Sequence, residues 1–210
     1  MPVTTLQNLS VPFEGEANSS LLMPKLQYRF RVAFDLFGAD VDNSLRVLQR
    51  QVVDVTRPNL TFDQITLEAY NSRTYLAGKH TWEPITLTLR EDASNNIQRA
   101  VGSQLQKQFD FFEQASATAA SDYKFHTKIE ILDGGNGDKD PIVLDRFELK
   151  GCYIESANYN TLAYSANEPV TVSLAIKYDN AIQTQGASGG GVGTAIGRSV
   201  AAIASTTGTS

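Results

Sequence analysis

Cysteine is nearly absent from this chain. Cys152 stands alone among 210 residues, so no internal disulfide framework can form. Histidine is almost as scarce, with His80 and His126 in no spacing that suits a metal. An excess of positive charge is missing too. The formal net charge is −5, which argues against a surface built to grip nucleic acid or an anionic membrane. No stretch approaches the run of about 20 apolar residues that spans a bilayer. The first residues lack the basic-then-apolar pattern of a secretory signal, so synthesis and folding in a cytoplasm are expected.

What the chain does have is alternation. Across residues 27–37, Tyr28, Phe30, Val32, Phe34 and Leu36 fall on one face of an extended backbone. Gln27, Arg29, Arg31 and Asp35 fall on the other, as a half-buried strand requires. Near the far end, Val170, Val172, Leu174, Ile176 and Tyr178 alternate with Thr171, Ser173, Ala175 and Lys177. Two amphipathic strands thus bracket one domain of ordinary globular composition.

Residues 1–24, polar and punctuated by Pro2, Pro12, Pro24 and Gly15, read as an extended N-terminal arm. An Asp- and Asn-rich turn follows the first strand. Residues 46–56 are expected to form a second strand hairpinned to the first, closed by Arg57-Pro58-Asn59, where proline cannot donate to a ladder. Residues 60–78 read as a long hairpin-like excursion with modest apolar content on either face. Residues 81–90 make another strand. One strong helix is expected over about 95–114, with Ser94 as cap and Ile97, Val101, Leu105, Phe109 and Phe112 on one stripe. Gln98, Gln104, Gln106, Lys107 and Glu113 are placed outside that stripe. Residues 125–132 and 142–150 flank a turn with hairpin chemistry. Gly, Ser, Ala and Thr dominate residues 181–210, the composition of a tail, although Ile196, Val200 and Ile203 recur at helical spacing. The sum is seven or eight strands and one helix: a mainly β fold, an antiparallel barrel or sandwich with one packed α-helix.

The search for chemistry is largely negative. Cys152 has no histidine motif near it and reads as a small buried hydrophobe. Asp133, Asn136, Asp138 and Asp140 offer oxygens that a calcium ion could use. Gly135 occupies the third position of that run and no glutamate closes it, so tight-turn chemistry is the stronger reading. Gly189-Gly-Gly-Val-Gly193 lacks the strand before it and the Lys-Ser/Thr ending of a phosphate loop. No catalytic, metal or cofactor-binding residues are assigned, and no enzyme activity is expected.

Three stretches carry a resemblance. Ala69-Tyr-Asn-Ser-Arg-Thr-Tyr-Leu-Ala-Gly78, then Trp82-Glu-Pro-Ile-Thr-Leu-Thr-Leu-Arg-Glu-Asp92 before a helix, is similar to the middle of tail tube proteins from contractile-tailed bacteriophages. Glu148-Leu-Lys-Gly-Cys-Tyr-Ile and residues 168–179 resemble their closing strands. The likeness covers residues 25–180, taken as one tail-tube domain. It implies homohexameric rings stacked helically into a hollow virion tube, assembled in the host cytoplasm, through which DNA is ejected. It also implies partners: the tail sheath, baseplate and tail terminator proteins, and a tape measure protein that fills the lumen. The excursion over 57–78 would then contact the adjacent ring, with Arg57, Pro58, Asn59, Asn71 and Arg73 as contact residues. An acidic wall fits such a conduit, because phosphates are repelled rather than held.

Two alternatives remain on the residues alone. The tube subunit of a contractile injection or secretion system shares the resemblance. An adhesive β-sandwich would need exposed aromatics on loops, for which Trp82 and Tyr159 are the candidates.

Overall fold

The computed structural model describes residues 24–38, 43–134, 141–185 and 191–193. Residues 1–23 of the N-terminal arm, Asn136, Asp138 and Asp140 of the calcium reading, and residues 186–190 and 194–210 of the glycine-rich tail, with the helical spacing of Ile196, Val200 and Ile203, lie outside them. The first strand, β1, is Phe30–Asp35, and helix α1, Asn43–Arg50, leads into β2, Val52–Val55. Two long strands follow, β3 (Leu60–Ala69) and β4 (Ser72–Trp82), then β5 (Ile85–Arg90). Helix α2 spans Asn96–Gln108, and two short strands, β6 (Phe109–Asp110) and β7 (Ala115–Ser116), precede the single turn α3 (Ala120–Tyr123). The chain closes with β8 (Phe125–Leu132), β9 (Val143–Asn158), β10 (Thr171–Lys177) and β11 (Asn180–Gln185).

Seven strands form one antiparallel sheet in the order β1-β8-β9-β10-β5-β2, with β11 also on β9. Strand β9 is the spine. Its first half pairs with β8 and β11, and its second half with β10. The turn between the halves is made at Gly151, whose φ of 68° is strained for any residue with a side chain. A Cβ there would run into the Asp179 carboxylate, which accepts a 2.6 Å bond from Lys124 Nζ. Gly151 thus divides the β1, β8 and β11 side of the sheet from the β10, β5 and β2 side, and both sides contribute to one buried core.

Alternation places the core. Val32 and Phe34 of β1 face inward with Ile129 of β8, Ile85, Leu87 and Leu89 of β5, and Val172, Leu174 and Ile176 of β10. Phe125 is fully buried and meets Phe37 edge-to-face at 4.8 Å between ring centres. The ends of the first alternating run do not follow the pattern. Tyr28 precedes the strand and is exposed, while Leu36 takes a left-handed backbone at φ 64°. That reversal turns Leu36 outward and brings Phe37 into the core. The charged face is held by Glu130, which accepts from Arg31 Nε and Arg146 Nε on the neighbouring strands, each at 2.8 Å.

Several sequence expectations are corrected. Residues 43–50 are helical, so no strand over 46–56 hairpins onto β1, and β2 pairs with β5 instead. Leu48 is fully buried and Arg50 sits in the last turn, where the negative end of the helix favours a cation. Helix α2 stops at Gln108 because Phe109 turns extended. Ser94 does not cap it. Asn95 occupies the cap position without a side-chain bond, and Asp92 accepts from the Asn96 amide at 2.9 Å. Three helices rather than one occur among the described residues, and residues 180–185 form a strand where composition suggests a tail.

Two glutamines bind α2 to the body. Gln104, expected outside the apolar stripe, is fully buried, accepts from the Gly38 amide at 2.9 Å and donates to the Tyr123 carbonyl at 2.6 Å. Gln108 donates to and accepts from the backbone of Ile154, at 2.9 and 2.8 Å. Its amide satisfies β9 where β8 has peeled away.

Candidate functional site

Among the described residues, strands β3 and β4 pair only with each other, forming a ribbon separate from the main sheet. Ala69 opposes Ser72, so Tyr70 and Asn71 make a two-residue turn. The base is anchored where Leu60 opposes Trp82, which is buried with its ring 5.8 Å from that of Tyr178. Beyond that base every residue from 61 to 77 is exposed.

A ribbon in water should keep its large apolar groups to a single covered face, and this one does not. Ile65 opposes Leu76, with Leu67 next to them on the same face, and all three are exposed. Phe62 and Tyr75 are exposed on the other face. Near the bulge, Phe62, Asp63, Gln64, Tyr75, Leu76 and Ala77 line a shallow groove of about 480 Å³. Gly78 permits that bulge, because a Cβ there would lie 2.9 Å from the Asp63 carbonyl oxygen. Covering the remaining half of each of these side chains would contribute about 1 kcal/mol apiece. An isolated two-stranded hairpin is marginal in water. The ribbon therefore has the chemistry of an arm completed by another surface.

Arg57, Pro58 and Asn59 lie at the base, between β2 and β3. Asn59 Nδ2 donates to Glu83 Oε2 at 2.6 Å, and its carbonyl accepts from the Glu83 amide at 3.0 Å. Asn71 is in the turn, and Arg73 Nη2 pairs with Glu68 Oε1 across the ribbon at 2.6 Å. The five predicted residues are thus not brought together. They mark the two ends of a ten-residue ribbon, roughly 30 Å apart at strand rise. Sequence reasoning missed the apolar residues between them. The available signal was a pair of facing strands whose apolar positions have nothing assigned to cover them.

Of the two aromatics considered for a sandwich lectin, Trp82 is in the core and only Tyr159 is exposed. Among the described residues, no three His, Cys, Asp or Glu side chains gather as a metal site requires. Asp133 Oδ1 accepts from the Ile142 amide at 3.0 Å, a turn-closing bond. No helix of the described residues is long and apolar enough to cross a membrane.

Cys152 is fully buried, and that burial pushes its thiol up from 9.0 to about 11. The proton is held more tightly in the folded chain, so stability is full below pH 9 and falls as pH rises towards 11. A loss of about 2–3 kcal/mol is expected across that window, read by urea unfolding. Cys152→Ala should flatten this part of the profile. The native thiol should also stay silent to a thiol reagent at pH 8 and react on unfolding.

No family model and no curated protein matches the chain. Solved structures do. A chain of the cryo-EM structure of the anti-feeding prophage cap, the tube-terminating cap, aligns with a TM-score of 0.57 at 13% identity, covering 82% of this chain and 98% of the other. A chain of the sheath–tube complex of the PVC extracellular contractile injection system, in its extended state, gives 0.54 at 13% identity, with 77% and 92% covered. A chain of the anti-feeding prophage baseplate gives 0.51 at 15% identity, with 78% and 97% covered. At these identities the likeness is one of fold. It agrees with the mainly antiparallel β architecture and with the resemblance to tail tube proteins read from the residues.

Proposed function

We propose that this chain is a structural tube subunit of a contractile tail or injection machine. Copies form homohexameric rings, and the rings stack into a hollow conduit. The single observation that carries this reading is the β3–β4 ribbon, apolar on both faces and uncovered by the described residues along its length. On this fold it supplies the contact to the adjacent ring. Arg57, Pro58 and Asn59 anchor the arm, and Asn71 and Arg73 present its tip.

Around the tube we place a sheath, with a baseplate at one end and a terminator at the other. In the phage reading, a tape measure protein and then DNA occupy the bore of a virion tail assembled in the host cytoplasm. A net charge of −5 suits a wall that DNA slides past. The second reading, an injection-system tube, is favoured by the solved structures the fold matches, which come from an anti-feeding prophage and an extracellular injection system. In either machine the chain does no catalysis and carries no cofactor.

Arg73→Glu tests the tip assignment. It removes the ion pair with Glu68 and sets two carboxylates opposite each other at the exposed end. Loss of polymers by electron microscopy is expected, with the unfolding midpoint of the monomer nearly unchanged. Normal tubes would remove the tip from the contact.

A further inference from the structure

Among the described residues, ten of the seventeen exposed large apolar side chains gather in two stretches. Six are on the β3–β4 ribbon: Phe62, Ile65, Leu67, Tyr70, Tyr75 and Leu76. Four more, Tyr159, Leu162, Tyr164 and Val170, belong to the segment joining β9 to β10. No other stretch of the described residues gathers as many.

The two groups leave the sheet at opposite ends. Ile176 opposes Ile85 and Thr171 opposes Arg90 along the β10–β5 pair. The ribbon enters β5 at its Ile85 end, through Trp82. The 159–170 segment is tied to the other end, where the Glu91 amide donates to the Val170 carbonyl at 2.9 Å and Asn160 Nδ2 donates to Thr171 Oγ1 at 2.7 Å.

Each pole carries an aromatic that no other described residue covers. Tyr70 is 104% exposed and sits at φ 53°, a backbone that a turn ordinarily gives to Gly or Asn. Holding a bulky residue there is strained, and a ring so exposed offsets none of that strain by packing against the described residues. Tyr164 is 113% exposed. The charge in such a meeting is small, since Glu168 is the one ionisable group of the 159–170 segment besides its tyrosines and the Arg73–Glu68 ion pair near the ribbon tip is neutral as a pair.

We propose that the occupant of the ribbon is a second copy of this chain, and that its receiving surface is the 159–170 segment, with Tyr70 of one copy seated by Leu162 and Tyr164 of the next. This rests on the stacking reading above and names its other half. A contact between opposite poles is heterologous and leaves both poles of every stack free to extend.

The test mixes two single variants at assembling concentration, Tyr70→Cys and an affinity-tagged Tyr164→Cys, and adds a short bismaleimide. Cys152 is buried and stays silent. A tagged heterodimer band is expected, lost when the unsubstituted chain replaces either variant. A band between two Tyr70→Cys copies instead, with none in the mixture, would overturn the proposal in favour of tip-to-tip contact. Ile65→Asp/Leu67→Asp separates the remaining outcomes. No band, with assembly abolished by that pair, overturns the receiving surface and leaves the ribbon as the stacking arm. No band, with assembly untouched by it, overturns both.

Discussion

Replacing Ile65 and Leu67 together by aspartate should abolish polymers while leaving the monomer folded. Both side chains are already exposed on the ribbon, so the unfolding free energy of the monomer should change by less than about 1 kcal/mol. Assembly is another matter. Each residue is about half exposed and so forfeits about 1 kcal/mol of burial, and each new carboxylate costs a further ~1–3 kcal/mol to desolvate on entering the contact. A loss of about 3 kcal/mol or more per contact raises the concentration needed for assembly at least about 100-fold. Sedimentation across a concentration series reads this directly. A variant that polymerises at the concentration of the unsubstituted chain would show that the ribbon's apolar face lies outside the interface.

The second large effect belongs to the core. Phe125→Ala should cost about 3–5 kcal/mol of monomer stability, a substantial share of the roughly 5–15 kcal/mol typical of a domain. Phe125 is fully buried against Phe37, at the point where β8 passes the Gly151 corner opposite Cys152. Removing the ring opens a cavity that Phe37, Phe34 and the strand backbones are poorly placed to fill. The midpoint of urea unfolding should fall sharply with its slope little changed. Together the two variants separate the sources of order in this chain. One spares the fold and removes assembly, and the other weakens the fold itself.

The physics that made parts of this fold legible also explains the rest. Phe125–Leu132 and Thr171–Lys177 were readable because period-two burial leaves a plain record in the side chains. Residues 43–50 were not, because a short amphipathic helix beside a strand gives a mixed period in which the buried Leu48 fits either reading. The Gln104 and Gln108 amides were invisible for a different reason. Their value depends on unpaired backbone at Gly38, Tyr123 and Ile154, which only the tertiary arrangement brings near. Leu36 shows how local the limit can be. One left-handed residue exchanges it with Phe37 in the core, and alternation alone does not register the step.

The candidate site was legible in position more than in chemistry. The excursion stood out through Pro58 and its modest apolar content on either face, and the resemblance placed the contact on its polar and charged residues. The structure shifts the weight to the apolar groups between them. They are energetically consequential because nothing among the described residues covers them, a property of the whole fold rather than of any residue.

The measurement that bears most directly on the tube assignment is electron microscopy of the purified chain over a rising concentration series, with solution mass recorded on the same samples. Hollow rings of six copies, and tubes built from them, are the predicted result, with tubes missing from Ile65→Asp/Leu67→Asp. A single monomeric mass and no ring or tube at any concentration would contradict the account.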